Sequence, residues 1–256
     1  MRYPVQDPIF HDYTFTEADR TILDRDGHLA LPGLLTPEAC HRLTASLVRI
    51  QELHEAHDEP ETSPQRFVAE HDEYMASLIG HPQILALAHS VLGPEIRYDH
   101  CVGLNRRGGN KGSNWHSHAY AEERTELGFI RVFFYVNGFE MDDANLKVVP
   151  GSHLYRDRSI YAEFDRELLS GWMKGKAHPL TGEPLKMVPL EVPPGTVIIM
   201  WTHAAHGVTA RRPESDTRWC VVYAYRNPGE ASGARWITEA FENAGIHGTE
   251  GLMSLL

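Results

Sequence analysis

The spacing of apolar and polar positions changes near residue 95, dividing the chain into a helical first third and a strand-rich remainder. Thr16, with Asp19 three residues on, is placed to cap a short helix running to Asp26-Gly27, after which His28-Leu29-Ala30-Leu31 reads as a strand. Thr36-Pro37-Glu38 combines a capping hydroxyl, a proline at the first helical position and an acid in the first turn; Leu43, Leu47 and Ile50 continue that helix at helical spacing. Residues 82–92 predict another amphipathic helix, stopped by Gly93-Pro94. Beyond them, strands are predicted over 96–102, 115–120, 129–136, 146–149, 197–201 and 219–225, punctuated by turn-forming stretches such as Arg107-Gly108-Gly109-Asn110.

Short strands behind a set of helices predict a mainly β fold with flanking helices, the β core being closed or sandwiched. The whole of 1–256 reads as a single domain, with a helical N-terminal part (1–94), a β core (95–226) and a C-terminal tail (227–256). Residues 154–190, with Tyr155 and Trp172, read as a helical and loop-like lid or pocket wall inserted in the core. The tail, which carries Trp236, is expected either to cover the pocket or to meet a second subunit, so a homodimer stays open.

Composition narrows the partners. The formal net charge of −11 argues against nucleic acid or an anionic membrane surface. No apolar run reaches the ~18 residues of a membrane span, and the N-terminus has no apolar secretory region. Three widely separated cysteines suggest no disulfide framework and fit a reducing cytoplasm. The charge says little about small substrates, because a pocket can carry a local charge opposite to the net charge.

Among the 16 histidines, spacing singles out a few; His81 and seven others in polar or helical stretches read as surface residues. In Trp115-His116-Ser117-His118, two imidazoles at i and i+2 of a strand leave the same face and can reach one metal ion. A third ligand can come from His203 or His206, just beyond the apolar strand ending at Trp201. Imidazole suits iron, zinc, copper and nickel. Phe133 and Tyr135 share a strand face with Arg131 and are placed to wall a pocket in which Arg131 meets a substrate anion. Tyr120, at the end of the ligand strand, is a further candidate substrate contact.

Several segments in fixed order resemble the phytanoyl-CoA dioxygenase-like oxygenases, a family that includes ectoine hydroxylase. They are the run Gly27–Glu38, Trp115-His116-Ser117, Pro150-Gly151-Ser152-His153, Pro194-Gly195-Thr196, and His206-Gly207 with Arg218 twelve residues on. The resemblance covers about residues 26–226 and implies a double-stranded β-helix (jelly-roll, cupin-like) core and an Fe(II) enzyme that uses 2-oxoglutarate and O2 to hydroxylate or otherwise oxidise a small organic molecule. Carried over, His116 is the first iron ligand, His206 the distal one, and Arg218 the partner of the far carboxylate of 2-oxoglutarate. Asn105 falls where the family often places a polar group near that cosubstrate. The family's 2-oxoglutarate-binding hydroxyl two residues after the distal ligand is replaced by Val208, and the adjacent Thr209 is expected to compensate for it. The family's H-x-D is here H-x-H. Three outcomes follow: a three-histidine iron centre through His116, His118 and His206; a carboxylate supplied by Glu122 or Glu123 instead of His118; or a catalytically silent jelly-roll that binds a metal or small molecule.

Overall fold

The structure, a computed structural model, describes residues 7–118, 124, 126–157, 160–230, 235–244, 246, 249 and 251–255. Helix α1 (Glu17–Asp26) begins in the expected capping box of Thr16 and Asp19 and ends at Gly27, whose φ of 84° is left-handed. Strand β1 (His28–Leu31) follows, and then α2 (Pro37–Glu55), capped by Thr36 with Pro37 at its start. Helices α3 (Val68–His71) and α4 (Glu73–Leu78) occupy a stretch with too few periodic positions to predict them. Helix α5 (Pro82–Leu92) is capped by His81, which is buried rather than at the surface because its ring accepts the Gln83 amide.

The β-rich part contributes β2 (Arg97–Gly103), β3 (Ser113–His116), β4 (Phe129–Tyr135) and β5 (Leu146–Val148). Then come β6 (Tyr161–Ala162), α6 (Asp165–Ser170), β7 (Val188–Pro189), β8 (Thr196–Trp201), β9 (His206–Val208), β10 (Cys220–Arg226) and α7 (Glu239–Ala244). They form two five-stranded antiparallel sheets ordered β1-β8-β4-β10-β2 and β6-β3-β9-β5-β7. This is the predicted jelly roll. The insertion over 154–190 is more than a lid, since it supplies the two edge strands β6 and β7 of the smaller sheet.

Alternation along the larger sheet sorts its side chains between two tasks. Val132, Phe134, Val197, Ile199, Val221, Tyr223 and Tyr225 pack with the helices in one core. Tyr223 Oη donates to Met75 O at 2.9 Å and Tyr225 Oη to Ile79 O at 2.8 Å, tying the end of α4 to the sheet. The alternate residues, Val102, Phe133, Tyr135, Ile198, Cys220 and Val222, meet Leu146 and Val148 of the smaller sheet in a second core between the sheets. The functional site lies in that inter-sheet layer.

The Pro150-Gly151-Ser152-His153 turn braces the approach to β9. Ser152 Oγ accepts the Ala205 amide at 2.8 Å, one residue before His206. His153 donates from Nε2 to Asp24 O at 3.0 Å, joining the turn to α1. Burial holds the His153 imidazole down to about 4, against an ordinary value of 6.5. A depressed histidine keeps its contribution to stability above the unfolded value and loses it as pH falls toward the folded one. Lowering pH from 6.5 to 4 is therefore expected to remove on the order of 3 kcal/mol through this group. Thermal unfolding across that window checks it: a flat Tm, or a His153→Gln protein with an unchanged pH slope, contradicts the assignment.

Candidate metal centre and pocket

His116 ends β3 and pairs in register with His206, which begins β9. His118 lies two residues past His116, its amide donating to Thr202 O at 3.2 Å. The three rings converge, with centroids 4.3 Å apart for His116–His206, 4.8 Å for His116–His118 and 5.4 Å for His118–His206. One ligand nitrogen from each lies within 4.8 Å of the others, so the group could hold a metal ion.

Two of the rings are oriented in the same way. Nδ1 of His116 faces Asn114 O at 2.8 Å and Nδ1 of His206 faces Ala204 O at 2.9 Å. A carbonyl only accepts, so each ring carries its proton on Nδ1 and leaves a lone pair on Nε2, the usual outer-shell arrangement of a ligating histidine. Burial pushes all three imidazoles below their ordinary value, with nearby cations adding to the effect, and the neutral ring is the form that ligates. His118 differs, because its Nε2 lies 2.8 Å from the Arg131 guanidinium, which can only donate.

Gly207 lets β9 lie close against β3. A Cβ there would lie 3.3 Å from the Trp115 indole. Trp115 is itself buried and donates from Nε1 to Asp165 Oδ1 at 2.7 Å, which fixes β3 against α6. The Trp-His and His-Gly pairs are thus two halves of one contact.

The histidines open into a cavity of about 200 Å³. Its wall on the larger sheet is a ladder of side chains two residues apart. Of the lining residues, registration sets His100 and Arg131 on either side of Ala224, Val102 and Phe133 on either side of Val222, and Tyr135 beside Cys220. The Arg106↔Arg218 bridge closes the far end. Arg218 is 1% exposed; it donates to Ala144 O and, at 3.2 Å, to Leu104 O, and lies over the rings of Tyr135 and Phe139. Nε of both Arg106 and Arg218 is buried without a hydrogen-bond partner, and neither guanidinium has an ion-pair partner among the described residues. The described lining contains four arginines and no carboxylate.

Of the expected site residues, His116, His118, His206, Arg131, Phe133, Tyr135 and Arg218 share this cavity. Two expectations are corrected. Asn105 is turned away from the wall, toward Gln51 and the Cys220 amide. Thr209 gives its hydroxyl to Asn145 Oδ1 at 2.6 Å instead of the pocket. In both cases the alternation of the strand sends the neighbour inward, Arg106 and Val208 respectively. His203 lines a different cavity with Asp24, His153 and Trp201, so His206 is the third histidine. Tyr120, Glu122 and Glu123 lie outside the described residues. Sequence reasoning missed Arg106 and His100, and it left Trp236 between two roles; Trp236 lines the cavity.

Residues 23–218 match the family model described as phytanoyl-CoA dioxygenase. No curated protein is significantly similar in sequence. Among solved structures, HygX from Streptomyces hygroscopicus, with nickel and 2-oxoglutarate bound, is 17% identical with a TM-score of 0.60, covering 85% of this chain and 89% of HygX. EctD from S. alaskensis, with 2-oxoglutarate and 5-hydroxyectoine, is 18% identical with a TM-score of 0.64, covering 89% and 83%. SnoK, a non-haem α-ketoglutarate-dependent carbocyclase from nogalamycin biosynthesis, is 16% identical with a TM-score of 0.64, covering 83% and 84%. At these identities the likeness establishes a shared fold.

Proposed function

Because the chain belongs to the phytanoyl-CoA dioxygenase family, we propose that it is a mononuclear non-haem iron oxygenase that uses 2-oxoglutarate and O2 to oxidise a small organic molecule. The observation that carries this reading is that convergent imidazoles share one cavity with the buried Arg218 and the half-buried Arg106, in a described lining without a carboxylate. Similar folds described with iron or nickel and 2-oxoglutarate support it.

The residues present fit an iron ion. His116 and His206 present oriented Nε2 lone pairs, and His118 would supply the third ligand nitrogen once its contact with Arg131 gives way. Three neutral imidazoles would leave a bound ion its full charge, which would favour anionic partners. Bound there, iron would supply the one-electron and O2 chemistry that side chains lack.

The protein's own part is to bind, orient and exclude water. Arg218 receives the far carboxylate of 2-oxoglutarate, its guanidinium held rigid by Ala144 O, Leu104 O and the faces of Tyr135 and Phe139. Arg106 beside it adds a second positive charge. Phe133, Tyr135, Val102 and Val222 form an apolar wall along which the cosubstrate lies, and their burial keeps bulk water off the reacting end.

Anaerobic titration of Fe(II)-loaded protein with 2-oxoglutarate tests the reading. A metal-to-ligand charge-transfer absorption band is expected, followed by succinate release in air; absence of both overturns it. The Arg131–His118 contact favours a second reading, a silent metal-binding jelly roll. Stoichiometric zinc that resists exchange for iron in the same preparation would select it.

A further inference from the structure

Strand β2 carries an irregularity that the metal centre does not explain. Tyr98 pairs with Tyr225 and His100 with Ala224, so Asp99 is an extra residue opposite a regular β10. In a regular strand residues 99 and 100 would face opposite sides; a bulge lets neighbours share one. Asp99 Oδ1 accepts from His100 Nδ1 at 2.6 Å, and both side chains are 0% exposed. Arg226 lies 3.8 Å behind the other carboxylate oxygen. A carboxylate facing Nδ1 places the ring proton there and leaves the lone pair on Nε2. That nitrogen is buried and has no hydrogen-bond partner, while its ring lines the cavity of the three histidines. Native folds rarely leave such an acceptor unpaired.

Its position in the wall gives it a task. His100 and Arg106 are six residues apart on one extended segment, roughly 20 Å at strand rise. They therefore mark opposite ends of the ladder. Trp236 stands at the His100 end with ring centroids 5.2 Å apart, and the exposed Arg66 lies over that indole at 5.6 Å. Both line the cavity.

We propose that the His100 end is the subsite of the primary substrate, and that this substrate is a small anion bearing a hydroxyl or amine. Its O–H or N–H donates to His100 Nε2, its apolar face rests on Trp236, and its negative charge is turned toward Arg66. Asp99 acts as a positioning residue that keeps His100 an acceptor. The assignment rests on the far end belonging to 2-oxoglutarate.

Matched pairs of anions that differ only by the donor test it: 3-hydroxybutyrate against butyrate, and 3-hydroxybenzoate against benzoate. Each is titrated calorimetrically into the anaerobic Fe(II)–2-oxoglutarate complex. In the wild-type protein the hydroxylated member of at least one pair is expected to bind about tenfold tighter, the factor supplied by one hydrogen bond. His100→Phe should abolish the preference, and His100→Gln, which can still accept near the Nε2 position, should retain part of it. Equal affinities within both pairs in the wild-type protein overturn the proposal without recourse to any variant, as does an undiminished preference in folded His100→Phe. Failure of the oxygenase reading looks different: the wild-type charge-transfer band on adding 2-oxoglutarate would be missing.

Discussion

Replacing His206 by alanine is expected to abolish stoichiometric Fe(II) binding and to lower 2-oxoglutarate turnover by more than about 100-fold, since outer-shell partners of a metal ligand alone cost about 10–100-fold. The expectation follows from His206 being buried, paired in register with His116, and oriented by Ala204 O so that Nε2 is available. Metal analysis after anaerobic loading and desalting measures it. His203→Ala is the control that gives the result meaning, because His203 faces a different cavity and its loss should leave iron bound. Retained iron in His206→Ala together with lost iron in His203→Ala would reverse the assignment.

The second large effect is expected at Arg218. Each hydrogen bond to a charged group contributes about 1.5–3 kcal/mol. Losing a two-pronged grip on a carboxylate should therefore cost about 3 kcal/mol or more, or at least about 100-fold in the 2-oxoglutarate concentration needed for half-maximal turnover. Arg218→Met should show this rise in KM and also a lower Tm, because Ala144 O and Leu104 O lose their donor. Arg218→Lys restores the charge but not the planar fork and should recover only part of the affinity. An unchanged KM in Arg218→Met would remove this arginine from the cosubstrate site.

The architecture was readable because local signals agreed with it. Caps at Thr16 and Thr36, prolines at helix starts and apolar strand runs all placed elements where the structure has them. Helices α3 and α4 were not readable, being too short to show a period. The three-histidine group was readable from His-x-His spacing and an apolar strand ending near a third histidine, although β3 stops at His116 and His118 lies beyond it. Within the site, the errors at Asn105 and Thr209 were errors of parity. Residues 100, 102, 104 and 106 share one face, as do 206 and 208, so alternation carried strictly through would have chosen Arg106 and passed over both. The Asp99–His100 pair could not be found in that way, because a bulge is defined by the partner strand and leaves no mark in the period of its own.

The two-sided use of the larger sheet has a consequence for how this catalyst can change. Each cavity position on β4 is separated from the next by one residue that grips the helices: Val132 between Arg131 and Phe133, Phe134 between Phe133 and Tyr135. Selectivity and folding are thus written on alternate letters of the same short words. Variation confined to Phe133 and Tyr135 on β4 and Val222 on β10 would retune which molecules are accepted while the Tyr223 and Tyr225 anchors to the helical layer stay in place.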